Sequence, residues 1–241
     1  MKNIILILFI VSISLPAFAQ NPSIKVLDTD FSKGRLTNQQ TITLQDVAKF
    51  HGHLCDGLAV GFLGLREALY KLYPDTITDR TNTRIISKSS PCLTDIAIYL
   101  TGARYQFNTF YVSDSIKYAF IVQRTDNNKT YGVKLKAGVK PPAIDSLGAL
   151  ANKGKLEACK IDILHQLENN FTQQLLKSNP KEIFIIEEIK NYTWQPTLQN
   201  IFMKTDILEI PVKLSIVFRF KVSSAFRSKL STPFRSKLST C

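Results

Sequence analysis

Two of the three histidines and one of the four cysteines of this chain fall within five residues, His51-Gly52-His53-Leu54-Cys55. Imidazole nitrogen and thiolate sulfur are the donors that zinc and its neighbours among the transition metals prefer, so this segment is a candidate metal-binding element. If residues 51–55 are helical, His51 and Cys55 stand at i and i+4, one turn apart on one face, and can share an ion while His53 points elsewhere. If the glycines open the segment into a turn, His53 and Cys55 become the natural pair. Spacing alone leaves both open, and His51, His53 and Cys55 are all candidate ligands.

A second sulfur in an unusual setting is Cys92, which follows Pro91 and precedes the apolar run Ile96–Leu100. Proline suits the first position of a helix, which puts Cys92 at a helix N-terminus, where unpaired N–H groups and the helix dipole favour the thiolate. Asp95 lies one turn further in. It is a candidate metal ligand, an acceptor for a histidine N–H, or a proton-transfer group and hence the candidate catalytic residue. The competing reading of the same sulfurs is a Cys55–Cys92 disulfide. Cys159 and His165, on a long polar-rich helix, are expected to be structural.

The compartment bears on that choice. Lys2, an apolar run from Ile4 to about Leu15, and Ala17-Phe18-Ala19 read as a secretory signal peptide cleaved after Ala19, which predicts a periplasmic or secreted protein. No later stretch approaches the ~20 apolar residues of a membrane span. An oxidising compartment favours disulfides, and Cys55, Cys92, Cys159 and Cys241 allow three complete pairings.

Several elements must position these side chains. Thr43 with Asp46 three residues on, ahead of Val47, Ala48 and Phe50, predicts a capped helix start. A second helix is expected over 58–73, with Phe62, Leu65, Leu69 and Leu72 on one face and Pro74 ending it. Gly57, Gly61 and Gly64 recur along it at helical spacing and predict a close approach to a neighbouring element. A strand at 83–88 precedes the Pro91 helix, which Gly102 should terminate. Residues 105–112, 117–124 and 131–136 read as strands of an antiparallel meander, with Asp126-Asn127-Asn128-Lys129 as a turn. A long amphipathic helix over 156–177 and a strand over 183–189 follow. The fold class is therefore α+β, an antiparallel sheet packed with helices, with a glycine-containing helix directly after the His/Cys element.

Composition agrees with a folded domain: of 241 residues, 44% are hydrophobic and 21% charged, with only 10 Gly and 10 Pro. The formal net charge of +12 does not indicate nucleic-acid binding, because the excess is at the ends. Lys213, Arg219, Lys221, Arg227, Lys229, Arg235 and Lys237 crowd an acid-free stretch at 211–241, and Lys2 is N-terminal. That stretch repeats FRSKLST at 226–232 and 234–240, too few copies for a repeat architecture. The expected organisation is a signal peptide over 1–19, a lead-in with little structure over 20–42, an α+β domain over 43–210 and a basic tail over 211–241.

Phe50-His51-Gly52-His53-Leu54-Cys55, Gly57-Leu58-Ala59-Val60-Gly61, Cys92-Leu93-Thr94-Asp95, Leu100-Thr101-Gly102, Asp114 and Lys117-Tyr118-Ala119-Phe120 occur in the order that resembles the formylmethanofuran dehydrogenase E-subunit family. The resemblance covers about residues 43–137. It implies an α+β core in which the His/Cys element and the second cysteine meet around a metal, usually zinc, in a cleft, often within a homodimer. Carried onto this chain, it touches His51, His53, Cys55, Cys92 and Asp95. Two positions depart from the pattern. Asp56 stands where members commonly have proline and offers an oxygen donor, and Ala103 stands where members often have a further cysteine, which would leave the site fewer sulfurs. The paired cysteines of a C-terminal zinc finger are missing as well. The expected partners are a small-molecule substrate or a metal ion, zinc or another transition metal, in a metal-dependent enzyme of unknown reaction or, alternatively, a metal-handling protein without turnover or a disulfide-stabilised binding module.

Overall fold

The computed structural model describes residues 21–30 and 35–194. Strands β1 (Ser23–Asp30) and β2 (Arg35–Thr43) form an antiparallel pair, and β3 (Ile77–Asp79) adds to β1 in parallel, giving the order β2-β1-β3. A second sheet has the order β5-β4-β6-β7-β8, from β4 (Thr83–Ser87), β5 (Phe110–Val112), β6 (Phe120–Arg124), β7 (Thr130–Leu135) and β8 (Phe184–Glu188). The helices are α1 (Leu44–His51), α2 (Asp56–Leu72), α3 (Pro91–Thr101), α4 (Pro142–Asn152), α5 (Ala158–Lys177) and the single turn α6 (Pro180–Ile183). The α+β class is as the sequence predicts.

Helix α2 is the centre of the molecule. Leu58, Ala59, Phe62, Leu65, Ala68, Leu69 and Leu72 are all at most 1% exposed, which spreads buried positions over more than one face, as a helix enclosed by neighbours requires. One continuous core joins it to Ile24 and Val26 of β1, Val47 of α1, Ile96 and Leu100 of α3, Ile85, Val122 and Val133 of the large sheet, and Phe171 and Leu175 of α5. The glycines let these neighbours in. A Cβ on Gly61 would stand 3.2 Å from Ile96 of α3, and one on Gly64 would stand 2.9 Å from the Phe184 ring of β8.

Helix starts and stops follow their local chemistry. Thr43 and Asp46 form a complete capping box, and α1 ends where Gly52 takes the left-handed conformation with φ of 106°. Ser90 caps α3 through Leu93 N–H, Pro91 opens it, and Gly102 closes it with φ of 68°.

Two expectations need correction, and one element goes unread in the sequence. Residues 20–42 are no bare lead-in, since β1 and β2 occupy most of that stretch and Ile24, Val26 and Ile42 are buried; the apolar residues are sparse there because only one side of the pair faces the core. The meander is also different. Only residues 110–112 of 105–112 form a strand, Tyr105–Phe107 being a 3-10 turn, and β5 pairs with β4 in parallel. The physical reason is α3, which lies between β4 and β5 and returns the chain in the same direction, as a helical crossover does. Strands β4, β6, β7 and β8 do pair antiparallel. Finally, α4 is an element that the sequence pattern does not announce. The signal segment and the basic tail lie outside the described residues, and no helix among those described is long and apolar enough to cross a membrane.

The glycine contacts make a paired prediction. Gly64→Ala gains helix propensity of up to about 1 kcal/mol but forces a methyl into the Phe184 ring, and overpacking of about 1–3 kcal/mol wins. Gly148→Ala in α4, where nothing lies within 4 Å of the added Cβ, keeps only the gain. Urea denaturation should therefore show Gly64→Ala less stable and Gly148→Ala at least as stable as the parent.

Candidate metal centre

Three helix ends converge on one point. His51 is the last residue of α1, Cys55 is the N-cap of α2, and Cys92 is the second residue of α3. Neither a continuous helix nor a simple turn over residues 51–55 is the whole answer. Gly52 breaks the helix, yet the pair that meets is His51 and Cys55, because α2 restarts at once and presents the Cys55 sulfur back towards α1.

The donors are close. Cys55 Sγ and Cys92 Sγ are 3.4 Å apart, and His51 Nε2 lies 3.7 Å from Cys92 Sγ and 4.0 Å from Cys55 Sγ. All three atoms fall within 4.8 Å of one another. A tetrahedral ion with Zn–S of about 2.3 Å and Zn–N of about 2.0–2.1 Å needs its ligand atoms about 3.5–3.8 Å apart, so these separations suit one shared ion. Both sulfurs are free thiols, not a disulfide, and both are half-buried.

A carboxylate sets the histidine. His51 Nδ1–H donates to Asp95 Oδ2 at 2.7 Å, with the imidazole side chain only 7% exposed. Because a carboxylate only accepts, Nδ1 is the donor of this pair and Nε2 is the nitrogen turned to the sulfurs, the arrangement that orients metal-ligating histidines. Of the three roles open to Asp95, this geometry is that of the histidine N–H acceptor. Phe50 lies against Tyr99 with ring centroids 5.3 Å apart, so α1 meets α3 at two successive turns, Asp95 and Tyr99.

Gly57 is a participant whose spacing in the sequence speaks only of helix packing. A Cβ there would stand 2.9 Å from Cys92 Sγ, so the bare backbone is what makes room for that sulfur, while Cys55 Sγ at 3.9 Å is in ordinary contact distance. Asp114 is another. Its carboxylate accepts from the N–H of Ser89 at 3.0 Å and from the Ser89 hydroxyl, tying down the turn that leads into the Ser90 cap and Cys92.

The sulfurs share a proton unequally. The hydrogen bond from Cys55 holds the Cys92 thiol below its usual range, and the same bond, with burial, pushes Cys55 up. A backbone donor helps at each helix start, Leu58 N–H reaching Cys55 Sγ at 3.4 Å.

The remaining sequence candidates lie elsewhere. His53 is exposed and lies against His51 with ring centroids 4.9 Å apart and the rings tilted by 39°, outside the donor group. Asp56 is not an additional oxygen donor to that group. It is 8% exposed and turns to Lys140 Nζ at 3.5 Å, an ammonium that also reaches Asp145 at 2.9 Å. Burial disfavours the Lys140 charge, but the two carboxylates outweigh it and raise its pKa. Ala103 follows the C-terminus of α3, a helix of about 16 Å at 1.5 Å per residue, with Cys92 at the other end. A thiol at 103 would not reach the donors described, so alanine there removes no sulfur from them.

An α+β fold brings two cysteines and a histidine from three helix ends, backed by a carboxylate, into a donor set that could hold a metal ion. Residues 50–185 match the family model described as FmdE, molybdenum formylmethanofuran dehydrogenase operon, and the chain belongs to that family. The match begins at Phe50, at the end of α1, and takes in every donor. Comparison with curated proteins finds no match.

The unequal thiols are measurable. In metal-free, reduced protein at neutral pH, iodoacetamide should alkylate Cys92 before Cys55, read by peptide mass spectrometry, because Cys92 holds the larger thiolate fraction. Faster labelling of Cys55 would reverse the assignment.

Proposed function

We propose that this protein is an exported zinc protein in which Cys55, Cys92 and His51 are the ligands and a fourth position is left for a small-molecule substrate. The observation that carries the reading is the cluster of two Sγ atoms and one Nε2 within 4.8 Å, with Asp95 behind the histidine. Three protein ligands with one position open is the pattern of catalytic zinc, whereas four closed ligands mark a structural one. Zinc suits the donor set because it takes thiolate and imidazole together. A zinc ion bound there supplies Lewis acidity towards a molecule in the fourth position.

The chain's own residues divide the work. Cys55 and Cys92 supply the negative charge, His51 the neutral nitrogen, and Asp95 holds the imidazole in the binding tautomer. Asp95 thus acts through His51 as a positioning residue. Gly57 keeps the space beside the sulfurs clear, and Asp56 with Lys140 braces the first turn of α2 that carries Cys55. Export is supported by the Lys2 start, the apolar run and Ala17-Phe18-Ala19.

Metal analysis of reduced protein prepared without chelators tests this. The expected result is about one zinc per chain, strongly reduced in His51→Ala and Cys92→Ser and kept in His53→Ala. Asp95→Asn should keep the fold and weaken zinc by about 10–100-fold in competition with a chromophoric chelator. Affinity should also fall as pH is lowered, since protons compete for the sulfurs and the imidazole. Reduced protein that takes up no transition metal overturns the reading.

A further inference from the structure

We propose that Cys55 and Cys92 form a redox switch on the metal centre: a hydroperoxide oxidises the two ligand thiols to a disulfide, and the ion is released. This rests on the metal reading above and adds a regulation of that site. The geometry is already close to the product. The sulfurs are 3.4 Å apart and a disulfide needs about 2.05 Å, so the pair has only to close by little more than 1 Å.

Nothing stands in the way of that movement on one side. Gly57 presents no Cβ to either sulfur, and a methyl there would press on Cys92 Sγ at 2.9 Å. Each sulfur sits at the start of its own helix, Cys55 at the N-cap of α2 and Cys92 in the first turn of α3, so the pair is held between two separate elements that already bring the sulfurs together. Both residues are half-buried, which leaves a path for a small oxidant.

The chemistry balances with hydrogen peroxide. One sulfur attacks a peroxide oxygen, the O–O bond breaks, and a sulfenic acid and water result. The second sulfur attacks the sulfenic sulfur, the S–S bond forms and a second water leaves. From the metal-bound pair, two thiolates, one peroxide and two protons from solvent thus become one disulfide and two waters, and the divalent ion leaves; sulfur is oxidised and peroxide oxygen reduced. The disulfide sulfurs carry no negative charge, so His51 Nε2 is the one strong donor left of the three, and a single imidazole does not retain the ion.

The test uses full-length reduced protein loaded with zinc, treated with one equivalent of hydrogen peroxide beside a chromophoric chelator, with disulfides mapped by non-reducing peptide mass spectrometry. One zinc should appear for each Cys55–Cys92 crosslink, and dithiothreitol with added zinc should restore the loaded form. Zinc lost with the two sulfurs converted separately to sulfinic or sulfonic acids would overturn the switch, as would peroxide consumed with zinc retained. Failure to load zinc before any oxidant is added refutes the metal reading, and is distinguishable because it precedes the peroxide step. His51→Ala keeps both sulfurs and should still crosslink; if it cannot, the helix starts do not place the pair.

Discussion

The contact on which the site depends is the approach of α2 to α3, and it is possible because α2 lacks side chains where the two helices meet. Gly61 lets Ile96 within 3.2 Å of where a Cβ would stand, and Gly57 does the same for the Cys92 sulfur at 2.9 Å. Each glycine costs an isolated helix roughly 1 kcal/mol relative to alanine, and the burial of Phe62, Leu65, Leu69 and their neighbours offsets it. Moving the helices apart by the width of a methyl group would separate the sulfurs beyond the reach of one ion. The same missing atoms therefore serve core packing and chemistry.

Electrostatics point the same way. Two helix N-termini are directed at the centre, each bringing N–H groups and the positive end of a dipole to a sulfur. The carboxylates nearby are both held by partners. Asp95 accepts from His51, and Asp56 pairs with Lys140, which keeps a buried charge partnered. The donor group is thereby two sulfurs and one nitrogen, with the oxygens in supporting positions.

Much of this was legible along the chain. The capping box at Thr43, Pro91 at the head of α3, Gly102 at its end and the glycine spacing in α2 are local signals, each decided by a few neighbouring residues, and each stands where the sequence puts it. Elements resting on long-range pairing were harder to read. The strands β1 and β2 look irregular in sequence because their pairing, not their composition, makes them strands. The parallel partner of β5 is implied by the intervening helix α3 but hidden by the apparent run of three consecutive strands.

By itself the sequence determined which donors are available, His51, His53, Cys55 and Cys92, and that the two cysteines fall near helix starts, because ligand type and helix capping are properties of neighbouring residues. Only the tertiary structure decided which of them meet. A left-handed Gly52 between α1 and α2 sets His51 rather than His53 against the sulfurs, and Lys140, distant along the chain, takes Asp56 out of the donor group. Such choices turn on distances of a few ångströms between separate elements, which spacing along a chain does not encode.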